Sequence, residues 1–228
     1  MADILAVGTH PDDIEIGLGG SVAKWVGEGL SVVILDLTNG EPTPFGDPVT
    51  RANEARKAAG ILGVTERITL DLPNRVLEDS VMARRKVAEV YRQVRPRMVF
   101  IHGERDSHPD HMAGFHIANK ARFDAKLTKT DMRGEPYYPP RMFMFHGSHL
   151  KHFPDPAFIM DITATFDKKI EAILAYESQF KAGGREGFII ERLTAMAAYF
   201  GGLINVKYGE PIMVKEPLGL SSLRDVIC

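Results

Sequence analysis

Two short stretches hold the residue types that do chemistry. HPDD at residues 10–13 sets an imidazole beside two carboxylates, and DSHPDH at residues 106–111 repeats the His-Pro-Asp theme with a second histidine. His10 and Asp13 are three apart, as are His108 and His111. That spacing over the first turn of a helix lets two side chains converge on one point, and proline is well tolerated at a first helical position. A divalent metal can therefore take His10, Asp13 and one histidine of the second pair; spacing does not say which one. Two imidazoles and a carboxylate are a common ligand set for catalytic zinc, with a further position left for water. Bound zinc lowers the pKa of that water to about 7. Asp12, next to the ligand but pointing elsewhere, can accept the water's proton as general base. The histidine that is not a ligand would lie near the metal, where as a cation it steadies an oxyanion or protonates a leaving amine. Asp110 is placed to orient it. One His-Pro-Asp at a strand end is more often a capped turn; two at equivalent places are harder to read that way.

The elements that must position these residues alternate between strand and helix. ILAVGTH, SVVILDLTNG, RITLDLP and MVFIHG read as strands, and GGSVAKWVGEG, RANEARKAAGILG and SVMARRKVAEVYRQVRP as the helices between them. Alternation of this kind predicts an α/β fold, a Rossmann-like and mostly parallel sheet with helices on both faces. Ligands of such sheets bind outside the carboxyl ends of strands, and both motifs fall at that edge. Farther on, RMFMFHG and AFIMDI read as strands, and TFDKKIEAILAYESQF and REGFIIERLTAMAAYFGG as amphipathic helices. The closing EPIMVKEPLGLSSLRDVIC reads as an arm laid over the body, and residues 1–228 as a single domain.

THPDDIEIGLGG together with HPDH resembles the zinc-dependent LmbE/PIG-L family of N-acetylglucosaminyl deacetylases, bacillithiol-pathway enzymes among them. TNGE, RANEARKAAGILGV, DITATFDKKIEAILAYESQF and YGEP extend the resemblance over most of the chain. It implies hydrolysis of the acetamide of an N-acetylglucosamine-containing conjugate. By resemblance His10, Asp13 and His111 bind Zn2+, with Fe2+ an alternative; Asp12 is the base; His108 assists the transition state; Asp110 supports His108. It also implies that Arg51 reaches the sugar, with Glu41 a weaker substrate contact, and that the protein forms homo-trimers or hexamers. After TNGE the chain reads PTPFGD, unlike the GTRG kind of loop in bacillithiol-pathway members, so the aglycone is left open.

Other residues have plainer readings. Arg51 and Glu54 are spaced for an exposed ion pair. GLGGS at residues 17–21 lacks the G-x-G-x-x-G spacing of a dinucleotide loop and fits close packing or anion binding at a helix start. His146, His149 and His152 read as solvated loop histidines, one of them near substrate, and His102 and His116 as packed or capped. The 228 residues are 44% hydrophobic and 25% charged, with a formal charge of −2, which gives no reason to expect nucleic acid or an anionic membrane as partner. No stretch approaches the ~20 apolar residues of a membrane span. The one cysteine, Cys228, and the lack of a leader-like start point to the cytoplasm. The competing readings are a non-catalytic nucleotide- or carbohydrate-binding protein on the same sheet, and a metal-dependent hydrolase of a different amide.

Overall fold

β1 (Ile4–Gly8), β2 (Val32–Asp36) and β4 (Met98–His102) are short apolar runs buried almost throughout. Successive residues of a strand face opposite sides. Leu5, Val7, Val33, Leu35, Val99 and Ile101 accordingly enter one core, and Ile4, Ala6, Val32, Ile34 and Phe100 the other. A sheet apolar on both faces needs helices on both. In the computed structural model, which describes residues 1–147, 149, 155–220 and 222, α3 (Val81–Val94) and α4 (Pro109–Asp124) cover the first face. α1 (Asp13–Gly27), α2 (Pro48–Leu62), α5 (Phe166–Leu174) and α7 (Glu186–Leu203) cover the second, beside the short α6 (Glu177–Phe180).

The sheet has the order β3-β2-β1-β4-β5-β7-β6, with β3 spanning Glu66–Thr69, β5 Arg141–Phe145, β6 Phe158–Asp161 and β7 Gly209–Val214. The first five strands are parallel, and β7 runs antiparallel to both neighbours. This is the mostly parallel, doubly covered α/β sheet expected. β2 and β4 flank β1 on opposite sides, so the connections leaving β1 and β4 part and open a crevice at the carboxyl edge. HPDD follows β1, and HPDH opens α4.

One expectation changes. The segment from Glu210 is not an arm: Gly209–Val214 is a strand within the sheet, its first five residues buried. Its charge and proline hid it. The Glu210 carboxylate is buried because it accepts from the backbone N–H groups of Gly20 (3.0 Å) and Ser21 (2.7 Å) and pairs with the buried Lys169. Of the two readings of the GLGG glycines, close packing is the one the structure has: they lie inside α1. A Cβ on Gly17 would stand 2.4 Å from the Phe145 ring, and one on Gly20 would stand 2.7 Å from Ile162, so they serve close packing.

Beneath the crevice lies a buried ionic cluster. Arg67 of β3 forks onto Asp36 at the end of β2 (Nε–Oδ2 2.7 Å, Nη2–Oδ1 2.8 Å) and reaches Glu15 in the first turn of α1 at 2.6 Å. The Tyr176 hydroxyl donates to the same Glu15 oxygen at 3.1 Å. Burial opposes the charge on Arg67, but Asp36 and Glu15 outweigh it and hold the guanidinium well above its usual pKa. One cation thus ties two strands to the helix that carries HPDD. Arg67→Met would leave two buried carboxylates without their counter-charge and should cost about 3–5 kcal/mol. Urea unfolding checks this, and a loss under about 1 kcal/mol would show that the cluster does not hold α1 in place.

Candidate metal centre and active site

The turn after β1 is tight and strained. Asp12 has φ 118° and ψ −22°, a left-handed conformation that favours glycine. Such strain costs of order 1–3 kcal/mol and gathers at functional sites. Arg51, from α2, holds the turn: its Nη2 donates to the Pro11 carbonyl at 2.5 Å and to Asp12 Oδ2 at 3.0 Å. Asp13 then opens α1, where the helix dipole favours a negative charge. Its Oδ2 accepts from the backbone N–H of Thr9 (3.1 Å) and of His10 (2.8 Å). Burial pushes the Asp13 pKa up, but the neighbouring His111 and His102 imidazoles outweigh it and hold the carboxyl well below the usual range.

The second motif is fixed by its own cap. His108 stands at the N-cap of α4 and its Nδ1 accepts from the Asp110 N–H at 3.2 Å, with Pro109 in the first turn. Asp106 braces the same turn: Oδ1 accepts from the His108 N–H at 2.8 Å, and Oδ2 lies 3.0 Å from His111 Nδ1.

These turns bring three ligand groups together, the two imidazoles meeting different oxygens of the Asp13 carboxylate. His10 Nδ1 lies 3.5 Å from Asp13 Oδ2, His111 Nε2 lies 3.2 Å from Asp13 Oδ1, and the two ring nitrogens are 3.3 Å apart. A tetrahedral zinc with bonds of about 2.0–2.1 Å separates its donors by about 3.3–3.4 Å, so these contacts are of the right scale, and one ligand atom from each residue lies within 4.8 Å of the others. Each imidazole has a carboxylate on its far nitrogen, Asp110 at 3.4 Å from His10 Nε2 and Asp106 at 3.0 Å from His111 Nδ1, an arrangement that orients metal-ligating histidines. Burial lowers both imidazole pKa values, yet the acids outweigh it and raise His10 to about 9 and His111 to about 10. Protons thus sit where a cation is wanted, and a bound metal would displace them.

Around the triangle the other site residues divide. Burial, with Asp13 beside it, raises Asp12 to about 6 against the pull of Arg51. Burial and the His111 and His10 imidazoles push His108 down to about 4, so its ring is neutral. With Nδ1 accepting, the tautomer assigned from that hydrogen bond carries its proton on Nε2.

Several expectations are corrected here. His108 was expected to be a cation; the surrounding imidazoles and burial make it a neutral donor instead. The Asp110 carboxylate does not orient His108: only its backbone N–H reaches that ring, while its oxygens take His10 and the N–H groups of Arg75 (2.6 Å) and Leu77 (3.3 Å). Arg51 is not in an exposed pair with Glu54. It is buried against Asp12, and Glu54 is instead occupied by the Ser178 N–H and hydroxyl. Glu41 stands apart from the triangle, its two oxygens taken by the backbone and hydroxyl of Thr43.

Two residues of the site escaped the sequence reading. His102, read as packed or capped, ends β4 with Nε2 3.1 Å from Asp13 Oδ2 and its ring stacked on His111 at 4.3 Å. Asp106 was inside the quoted DSHPDH stretch, but only the fold shows it behind His111. The signals were a histidine closing a strand and an acid five residues before a ligand. Of the loop histidines, His149 lies 5.4 Å from the His108 ring and lines the cleft, while His146 is buried against Phe200. His152 and Cys228 lie outside the described residues. His116 packs beside Phe115, away from the site. Above the triangle opens a cleft of about 330 Å³, walled in part by Asn74, Gln179, Phe180 and Phe188.

Comparison with known proteins follows the same geometry. The conserved protein TT1542 of Thermus thermophilus superposes with a TM-score of 0.89 at 40% identity, over 96% of this chain and 97% of that one. The diacetylchitobiose deacetylase of Thermococcus kodakarensis is 29% identical over 92% of this chain and 81% of its own length. The 4-oxalmesaconate hydratase of Pseudomonas putida is 26% identical over 98% of this chain and 85% of its own length. The family model described as GlcNAc-PI de-N-acetylase, PIG-L, matches residues 5–122, which include His10, Asp12, Asp13, Arg51, His108, Asp110 and His111. A match over that much of the chain places the protein in the PIG-L family of de-N-acetylases.

Proposed function

We propose that the protein is a metal-dependent hydrolase that removes the N-acetyl group from an N-acetylglucosamine-containing conjugate. One observation carries the reading: a ligand cluster of His10, Asp13 and His111 with contacts of 3.2–3.5 Å among its nitrogens and carboxylate oxygens, beside a strained, half-paired carboxylate and a neutral imidazole. The Thermococcus relative, a diacetylchitobiose deacetylase by name, supports the substrate class.

His10, Asp13 and His111 would hold the metal, taken as zinc with iron as the alternative. When bound, it supplies Lewis acidity and makes water nucleophilic near neutral pH. Asp12 takes the proton of the attacking water, a task suited to a carboxyl raised toward neutrality. Arg51 keeps that carboxylate aimed by gripping both it and the Pro11 carbonyl. The His108 Nε2–H donates to the acetyl oxygen as negative charge gathers on it. Asp12 then returns its proton to the sugar nitrogen as the C–N bond breaks, so amide and water become acetate and a free amine. Arg51 also lines the cleft, and we assign it a contact with the sugar. Glu41 acts at one remove, setting Thr43 on the cleft wall.

No described helix is long and apolar enough to cross a membrane. We place the protein in the cytoplasm and propose a homo-trimer or hexamer. The exposed Phe188, Tyr199 and Leu203 on α7 support self-association.

Metal-stripped protein should release no acetate from N-acetylglucosamine conjugates and should regain turnover with one zinc per chain. Metal binding without acetate release would reject the deacetylase and favour a reaction like that named for the hydratase relative. Asp12→Asn should keep its metal and lose about 10²–10⁴ in kcat. Full turnover by that variant would remove Asp12 as the base. His108→Gln should lose about 10²–10³ in kcat with its metal content unchanged, and an effect on KM alone would assign it to binding instead.

A further inference from the structure

The site holds one imidazole that the proposed chemistry does not use. His102 closes β4 and is 2% exposed, with its ring stacked on His111 at 4.3 Å and packed against Phe145 at 4.6 Å. Its Nε2 lies 3.1 Å from Asp13 Oδ2. The Thr9 N–H stands 3.3 Å from the same nitrogen and 3.1 Å from the same oxygen. A carboxylate oxygen is the stronger acceptor, so that N–H goes to Asp13. Two bare acceptors do not sit 3.1 Å apart out of water without a proton between them. The tautomer assigned from these contacts therefore carries its proton on Nε2 and donates it to Oδ2. Nδ1 is left a lone pair with no hydrogen-bond partner among the described residues. Gly147 closes over that side, where a Cβ would stand 3.3 Å from His102 Nδ1 and 2.2 Å from Asp106 Oδ2. The polar chemistry of His102 is thus spent on one carboxylate, and that carboxylate is Asp13.

The contact falls where it constrains Asp13. The last torsion of an aspartate side chain is broad, so its partners set the plane of the carboxylate. Oδ2 accepts from the N–H groups of Thr9 and His10, both in the turn that carries Asp13, and from His102, which belongs to another strand. Oδ1 takes none of these and lies 3.2 Å from His111 Nε2.

We infer that His102 is a positioning residue of the metal centre: through its Nε2–H it fixes the Asp13 carboxylate against His10 and His111, and so sets how tightly the centre holds its ion while touching neither metal nor substrate. Asp110 and Asp106 stand behind the two ligand histidines; His102 does the same for the ligand carboxylate, so each of the three has its own orienting partner. This rests on the reading of His10, Asp13 and His111 as metal ligands and not on the substrate.

The test crosses two variants. His102→Phe keeps a ring against His111 and Phe145 but lacks the N–H; His102→Gln carries an N–H at similar reach but lacks the ring. Zinc affinity is read by competition with a chromogenic chelator, the ligand field by the visible spectrum of the cobalt-loaded protein, and packing by urea unfolding of the metal-free protein. His102→Phe should bind zinc about 10–100-fold more weakly, with an altered cobalt spectrum. His102→Gln should keep both near those of the unaltered protein, even where its metal-free form is less stable. The opposite order, zinc held by the Phe variant and lost by the Gln variant, would make His102 a packing residue. Equal zinc affinity in the two variants would also overturn the role. Imidazole nitrogen NMR of the unaltered, zinc-loaded protein tests the same point without a substitution: His102 should be the Nε2–H tautomer, and an Nδ1–H tautomer would overturn the proposal. Failure of the unaltered protein to bind zinc would reject the metal site, and this role with it. Acetate release enters none of these readings, so the deacetylase stands or falls separately.

Discussion

The carboxyl edge of the sheet is organised around one buried negative charge, that of Asp13. Two backbone N–H groups from the turn after β1 point at it, and three imidazoles from the ends of β1 and β4 and the start of α4 close on it. A carboxylate out of water is costly unless it is hydrogen-bonded and matched by positive charge. Meeting that demand draws those three chain segments to one point. The need to satisfy a charge and the need to hold a metal are met by the same atoms. His10 and His111 serve both, and their supporting acids Asp110 and Asp106 spread the negative charge outward by one layer.

That arrangement explains why the neighbouring acids behave differently. Asp13 enters the helix with its oxygens fully engaged. Asp12, one residue earlier, is turned aside by its left-handed backbone and meets only Arg51. Adjacent residues of the same type thus receive opposite protonation tendencies, one held ionised and one lifted toward neutrality. Arg67 secures this from below by fixing Glu15, in the first turn of the helix that Asp13 opens.

Much of this was legible in the chain. Strands that are apolar on both faces announce themselves, so β1, β2 and β4 and the parallel sheet could be read, and with them the edge where both motifs meet. What could not be read depends on partners distant in sequence. Glu210 looked like a solvent residue because its partner, Lys169, is 41 positions away. Arg51 looked like half of a surface pair because Glu54 is three residues on, yet its true partner is Asp12, 39 positions back. The role given to Asp110 failed for a subtler reason: sequence places it beside His108, but the α4 cap turns its backbone to that ring and its carboxylate toward His10. His102 carried no motif at all, and only the stacking of β4 beside β1 makes it a neighbour of Asp13.

The place of β7 has a consequence for how the protein is made. β6 is synthesised before β7, yet among the described strands its only sheet neighbour is β7, which sits between it and β5. Until residues 209–214 leave the ribosome, the outer edge of β5 is unpaired and Lys169 has no Glu210 to receive its charge. An open, apolar strand edge is an invitation to pair with another chain. The strand that closes the sheet thus lies late in the chain, and any partly folded form that lacks it would present the β5 edge to other chains.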